Sequence, residues 1–282
     1  EKGEKGERRP RRFSIADQVA RFERAKAEKN ERYLNIASVF DGSYLKGKRV
    51  LIVGASKGLG LCLVKEAVAQ GATCIATCRE GAGDLQSLGA TVISGVEVTD
   101  LDSMKKMASA VKAPLDYAIF NAGYFPDIAD NLDSPQDKEA IKQIDVCALG
   151  PLRCVTVLKA EGLLKGCKVA VISSQAGSTQ WRFTQNKDKG GDYGHHMSRA
   201  ACNMGCALMS EELKKNEVPV VTIHPGFCRT GMTSKYSHIW DVEGAVPAEE
   251  GAKRVLHEVS RISMKVTGKF FNAEDGLEIP WY

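Results

Sequence analysis

From Lys48 onward the chain alternates between short apolar runs and longer stretches in which apolar residues return every three or four positions. "RVLIVGA", "TCIATC", "TVISGVEV", "YAIFNAG", "KVAVISS" and "PVVTIHP" are the strand candidates. They are apolar at nearly every position, as expected of parallel strands covered on both faces. Helical periodicity fills the intervals 59–70, 101–112, 136–164, 196–215 and 248–260. This alternation predicts an α/β fold, a doubly wound parallel sheet flanked by helices. No internal repeat or linker divides it, so a single domain over 46–282 is expected.

Residues 1–45 read as a separate extension. "EKGEKGERRPRRFS" mixes both charge signs and ends in an Arg cluster at 8–12. Its simplest reading is a solvated, flexible arm over 1–13. Ser14 with Asp17 resembles a helix start. "SIADQVARFERAKAEKNERYL" then places Ile15, Val19 and Phe22 on one narrow stripe. So narrow a stripe buries little alone, and the helix either packs on the main domain or docks on a partner. We take residues 1–45 as a protein-binding element, with fold-back on the domain or a homo-oligomer contact as alternatives. Basic clusters attract nucleic acid, anionic lipid or acidic partners. A net charge of +4 is mild, and nucleic acid is disfavoured. The chain opens on Glu rather than Met, which suggests processing upstream; a tail with several Glu does not itself resemble a transit peptide.

At 43% hydrophobic and 26% charged residues the composition is that of an ordinary globular chain. No apolar run approaches the roughly 20 residues of a membrane helix, so no membrane span is expected. The nine cysteines lack paired spacing, and Cys74, Cys78 and Cys154 sit inside apolar runs. They read as reduced thiols in an intracellular compartment, with cytoplasm and organelle both open. No C-x-x-C occurs, and consecutive members of His195, Cys202 and Cys206 are about 6 to 10 Å apart along a helix axis. No metal site is expected.

The first strand runs directly into "GASKGLG", with glycines at 54, 58 and 60. A glycine at a strand end permits the tight turn, and the next two admit a pyrophosphate and a closely packed helix. The helix N-terminus then offers free N–H groups to the phosphates. On this motif and those downstream the chain resembles the short-chain dehydrogenase/reductase family. Its Thr-Gly-x3-Gly-x-Gly is matched with Val53 in place of Thr. "FNAG" is similar to the family's Asn-Asn-Ala-Gly, with Phe120 for the first Asn and Asn121, Ala122 and Gly123 kept. "VEVTD" offers Glu97 at the adenine-side position, and "HPGFCRTGM" offers Pro225, Gly226 and Thr230 on the nicotinamide side. "ALGPLR", "GGDYGHHMSRAA" and "GLEIPW" are most similar to the sniffer-like carbonyl reductases. The resemblance spans 46–282 and implies a Rossmann-type sheet of about seven strands. The implied nucleotide site adds Ser56, Lys57 and Arg79 to these residues. Arg79 ends the second strand where NAD-preferring sites place a carboxylate, and with Lys57 it favours NADP(H). Glu80 tempers that preference, and a site holding no nucleotide stays open.

The family's chemistry uses a Tyr, a Lys one turn later, a Ser and an Asn. "ISSQAG" supplies Ser174. "IDVCALGPLR" puts Cys147 at the Asn position, and "YGHHMSRAA" puts His195 at the Tyr and Arg199 at the Lys. Tyr193 lies two residues early and faces another side. His exchanges protons near neutral pH, but beside Arg199 it favours the neutral form, a poor donor. Arg199 keeps a charge that can hold ribose hydroxyls; Cys147 offers only a weak hydrogen bond. Replacing three members of a cooperative unit is usually severe. The sequence thus reads first as an NADP(H)-binding protein of impaired turnover, a structural or assembly subunit of a larger complex. The alternative is an NADPH-dependent carbonyl reductase using Ser174 and His195.

Overall fold

The computed structural model describes residues 12–281 except 82 and 186. In chain order the elements are α1 (Gln18–Ala27), α2 (Glu31–Leu34), β1 (Arg49–Val53), α3 (Gly58–Ala69), β2 (Thr73–Thr77) and β3 (Thr91–Ile93). Then come α4 (Leu101–Val111), β4 (Tyr117–Phe120), α5 (Asp137–Ile144), α6 (Gly150–Ala160), β5 (Lys168–Ile172) and α7 (Thr179–Arg182). The last are α8 (Tyr193–Leu213), β6 (Val220–His224), β7 (Cys228–Arg229), β8 (Val246–Pro247), α9 (Ala248–Ser260) and β9 (Phe270–Asn272).

Seven strands form one parallel sheet in the order β3-β2-β1-β4-β5-β6-β9. β1, β4, β5 and β6 are buried along nearly their whole length, which is why they read as unbroken apolar runs. Leu63, Val64, Leu256 and Val259 of α3 and α9 cover one face. Met104, Leu158 and Met209 of α4, α6 and α8 cover the other. Strand order reverses between β1 and β4, and ligands of open α/β sheets bind at such a switch point beyond the strand C-termini. All nine cysteines are free and buried. Among the described residues no helix is long and apolar enough to cross a membrane.

Three local readings needed revision. The 91–98 run keeps strand geometry only over Thr91–Ile93. The 136–164 stretch is broken by a π-helical turn at Asp145–Leu149. Its cause is Pro151, which has no N–H to offer the Cys147 carbonyl one turn back. The ladder slips by one residue, and the Gly150 N–H bonds to the Asp145 carbonyl instead.

The third concerns the extension. Residues 12–45 lie against α9 and the C-terminal segment: the Ser14 N–H donates to the Glu278 carbonyl at 2.9 Å, and Arg12 pairs with the Glu278 carboxylate at 3.2 Å. Tyr33, Ile36 and Leu45 are buried. The face of α1 that packs is Gln18, Arg21 and Ala25. The stripe read from sequence does not pack as a unit, since Val19 is exposed and Ile15 and Phe22 only half-buried. Arg8, Arg9 and Arg11 lie outside the described residues.

Candidate active site

The β1–α3 turn builds a cradle. Gly54 has φ +83°, and a Cβ there would stand 2.6 Å from the Ala122 Cα. A Cβ on Gly60 would meet the Gly54 carbonyl at 2.2 Å and Asn121 Nδ2 at 2.5 Å. Asn121 Nδ2 donates to that carbonyl at 2.7 Å, while the backbone N–H groups of Asn121 and Ala122 both donate to the Val53 carbonyl. The turn is thus held tight against β4, at a spacing that only glycine at 54 and 60 allows. Gly60→Ala is expected to push Asn121 off Gly54 and to weaken NADPH binding by about tenfold or more, read by calorimetric titration.

Around the cradle the sequence candidates fall as follows. Ser56 and Lys57 are exposed at the start of α3, and Lys57 has no ion-pair partner among the described residues. The Thr230 methyl lies 3.7 Å from where a Gly58 Cβ would sit, closing the turn from the β6 side. Arg79 and Glu97, expected to meet different parts of an adenosine, face one another at 3.9 Å. Arg79 is 67% exposed there, so the contact is a loose surface pair. Gly226 has φ +87° and packs against the Glu274 side chain.

The residues read from sequence as the reacting end gather where β4, β5 and α8 meet. Arg199 is buried; its Nη1 donates to the Ile172 carbonyl at 3.2 Å, and its Nη2 lies 3.1 Å from where a Gly123 Cβ would stand. Its Nε is buried without a partner. His195, one turn earlier on α8, stacks on Phe125 with centroids 4.3 Å apart, and its Nδ1 is buried without a partner. Burial, then Arg199, His196 and Lys235, hold the imidazole well below its ordinary 6.5. It is neutral at neutral pH. Ser174, half-buried at the end of β5, accepts from the Ala176 N–H at 3.2 Å and keeps its own proton to donate. Cys147 sits in the π turn with its sulfur occupied: it accepts from the Tyr124 N–H and donates to the Tyr124 carbonyl.

Sequence reasoning missed a second layer. Lys235 lies 3.8 Å over the Phe125 ring and pairs with Asp192 at 3.3 Å. Tyr236 donates to Asp192 at 2.6 Å. Asp192 is the left-handed N-cap residue of α8 (φ 49°), so the 231–239 segment is clasped to the helix carrying His195 and Arg199. No spacing signal could have joined positions more than forty residues apart.

Set beside known proteins, residues 48–239 match the short chain dehydrogenase family. The 1-hydroxy-2-glutathionyl-2-methyl-3-butene dehydrogenase of Rhodococcus sp. (strain AD45) is 28% identical over 235 residues, spanning 82% of this chain and 99% of its own. Carbonyl reductase Sniffer of D. melanogaster superposes with TM-score 0.72 at 21% identity, covering 83% of this chain and 100% of that one. The NADPH-bound carbonyl reductase from chicken fatty liver superposes with TM-score 0.71 at 26% identity, covering 82% and 98%.

Proposed function

The chain belongs to the short-chain dehydrogenase family, and from that premise we propose that it is an NADP(H)-dependent oxidoreductase interconverting a carbonyl compound and its alcohol, with Ser174 and His195 at the substrate oxygen. The observation that carries this reading is the cradle of Gly54, Gly60 and Asn121, closed by a 2.7 Å bridge, with Gly123 of the same β4 end beside Arg199. The likeness to a carbonyl reductase that holds NADPH supports it.

The residues present fit such a cofactor. The turn and the N-terminus of α3 suit a pyrophosphate. Lys57 and Arg79 would offer cations to a 2′-phosphate, and Arg199, beside Gly123, would hold ribose hydroxyls. When bound, NADPH supplies a hydride to the carbonyl carbon. Ser174 donates a hydrogen bond to the oxygen as charge develops on it. In reduction the oxygen takes its proton from His195, which must first be protonated from solvent; in oxidation the neutral ring accepts the alcohol proton. Cys147, engaged with Tyr124, adds little to a proton relay.

Two outcomes test the reading. NADPH consumption should follow addition of at least one compound from a panel of aldehydes, ketones and quinones. A protein that binds NADPH by titration yet consumes none refutes it. Because His195 titrates below 6.5, its protonated fraction grows throughout a fall from pH 8 to 6. The reductive rate should therefore rise over that range, by at most about tenfold per unit. His195→Phe should be slow and flat with pH.

A second reading is favoured by the same depressed imidazole and by the engaged Cys147 sulfur: a nucleotide-holding subunit without turnover, recruited through its extension. Its mark would be loss of a co-purifying complex on deleting residues 1–11, which leaves α1 and its Arg21–Glu274 pair in place, with NADPH affinity unchanged.

A further inference from the structure

The extension precedes the segment matched by the family, yet its first helix reaches the loops that carry the site. Arg21 is 2% exposed, and its Nε donates to a Glu274 oxygen at 2.8 Å. Its Nη2 donates to Gln175 Oε1 at 2.8 Å and to Gln18 Oε1. Gln18 in turn donates to Glu274 at 3.0 Å and accepts from Gln175 Nε2 at 3.2 Å. Gln175 is the residue after Ser174. Glu274 is fully buried and accepts from the Phe227 N–H at 3.1 Å, with its side chain packed against Gly226. One continuous path therefore runs from Ser174 through Gln175, Arg21 and Glu274 to the Pro225–Phe227 segment.

We infer that α1 is a positioning element of the active site, in which Arg21 and Gln18 fix the Ser174 loop relative to the Pro225–Phe227 segment. This deepens the oxidoreductase reading and, for its catalytic consequence, rests on it. Arg21 suits the task because its planar fork serves two acceptors at fixed angles, which the point charge of a lysine does not. Away from water each of these bonds is stronger than at the surface. The Arg21 guanidinium also lies over the Trp181 ring, 5.5 Å from its centroid, which limits its swing. A Ser hydroxyl misplaced by about 1 Å lowers turnover by up to about a hundredfold, so a tether at the adjacent residue matters to rate.

Three variants of the full chain test this. Arg21→Lys keeps a charge for Glu274 but loses the fork. Gln175→Leu cuts the tie to the Ser174 loop and leaves the Arg21–Glu274 pair, whereas Gln175→Glu keeps an acceptor for Arg21. Amide exchange at 174–178 and 225–230 should quicken about tenfold in Arg21→Lys, while β1 is unchanged. Gln175→Leu should quicken 174–178 alone and lower kcat by about tenfold with the KM for NADPH within about twofold. Gln175→Glu, which keeps the acceptor for Arg21 but loses the donor to Gln18, should restore both in part. Folded Arg21→Lys and Gln175→Leu proteins with parental exchange in both segments would overturn the inference. If Arg21→Lys does not fold, the two Gln175 variants decide. Should the parent bind NADPH but reduce nothing, the oxidoreductase reading fails; parental exchange in the variants would still reject the tether, and quickened exchange would still support it.

Discussion

Glu274→Ala is expected to remove about 3–5 kcal/mol of stability, measured by chemical denaturation, a large share of the roughly 5–15 kcal/mol that holds a typical domain. Glu274 lies at 0% exposure between Arg21 at 2.8 Å and Arg254 at 3.9 Å, and both arginines are buried. Burial alone would raise its carboxyl, but Arg21 and Arg254 outweigh that and bring it from 4.5 to about 2. Removing it strands two cations in an interior that cannot solvate them. Arg254 already has Nε and Nη1 without hydrogen-bond partners, so it has little to fall back on. Changing Glu274→Leu together with Arg21→Met should recover part of the loss, since a buried ion pair is worth little against apolar packing. Because the folded carboxyl titrates below its unfolded value, its contribution is full above about pH 4.5 and fades as pH falls toward 2. A loss under about 1 kcal/mol in Glu274→Ala would mean that water reaches these arginines.

Converting Cys147→Asn, His195→Tyr and Arg199→Lys together should raise kcat/KM for a generic ketone by about a hundredfold or more, about 2.7 kcal/mol of transition-state stabilisation. Each single change should alter it by less than about fivefold, because the groups act as a unit. Arg199 now spends Nη1 on the Ile172 carbonyl, and His195 is held neutral in a stack with Phe125. A lysine ammonium beneath a tyrosine at 195 would instead lower the phenol's pKa, giving a donor that works at neutral pH. The measurement is the kcat/KM of all five proteins, parent, three singles and triple, with one substrate. A parent already at an ordinary enzyme rate, unimproved by the triple change, would make His195 a fully competent replacement.

The sheet was legible because its strands are buried on both faces, so "RVLIVGA", "YAIFNAG", "KVAVISS" and "PVVTIHP" announce themselves. The cradle was legible because close backbone approach demands glycine at fixed places. What sequence could not show was polar burial across long separations. α1 was read through Ile15, Val19 and Phe22, yet it packs through Gln18 and Arg21, whose partners Gln175 and Glu274 lie more than 150 residues away. The break at Cys147 was readable in principle, from Pro151 four residues on. β9 left only a three-residue trace, Phe270–Asn272, too short for any periodicity. The seventh strand was anticipated only through resemblance.

The bridge between Phe13 and Glu278 has a consequence for how the chain comes off the ribosome. Synthesis proceeds from the N-terminus, and domains ordinarily begin folding in that order. Here an early segment has its berth in one made much later: Ser14 needs Asp275 and Glu278, and Arg21 needs Glu274, 253 positions later. Until residues near 280 emerge, Arg21 has no counter-charge and α1 no groove, and the helix waits exposed while the earlier strands assemble without it. Docking of the extension therefore follows the synthesis of residues 274–278. A nascent chain halted before Glu274 emerges would carry an unseated α1, open to whatever chaperone or acidic surface meets it first.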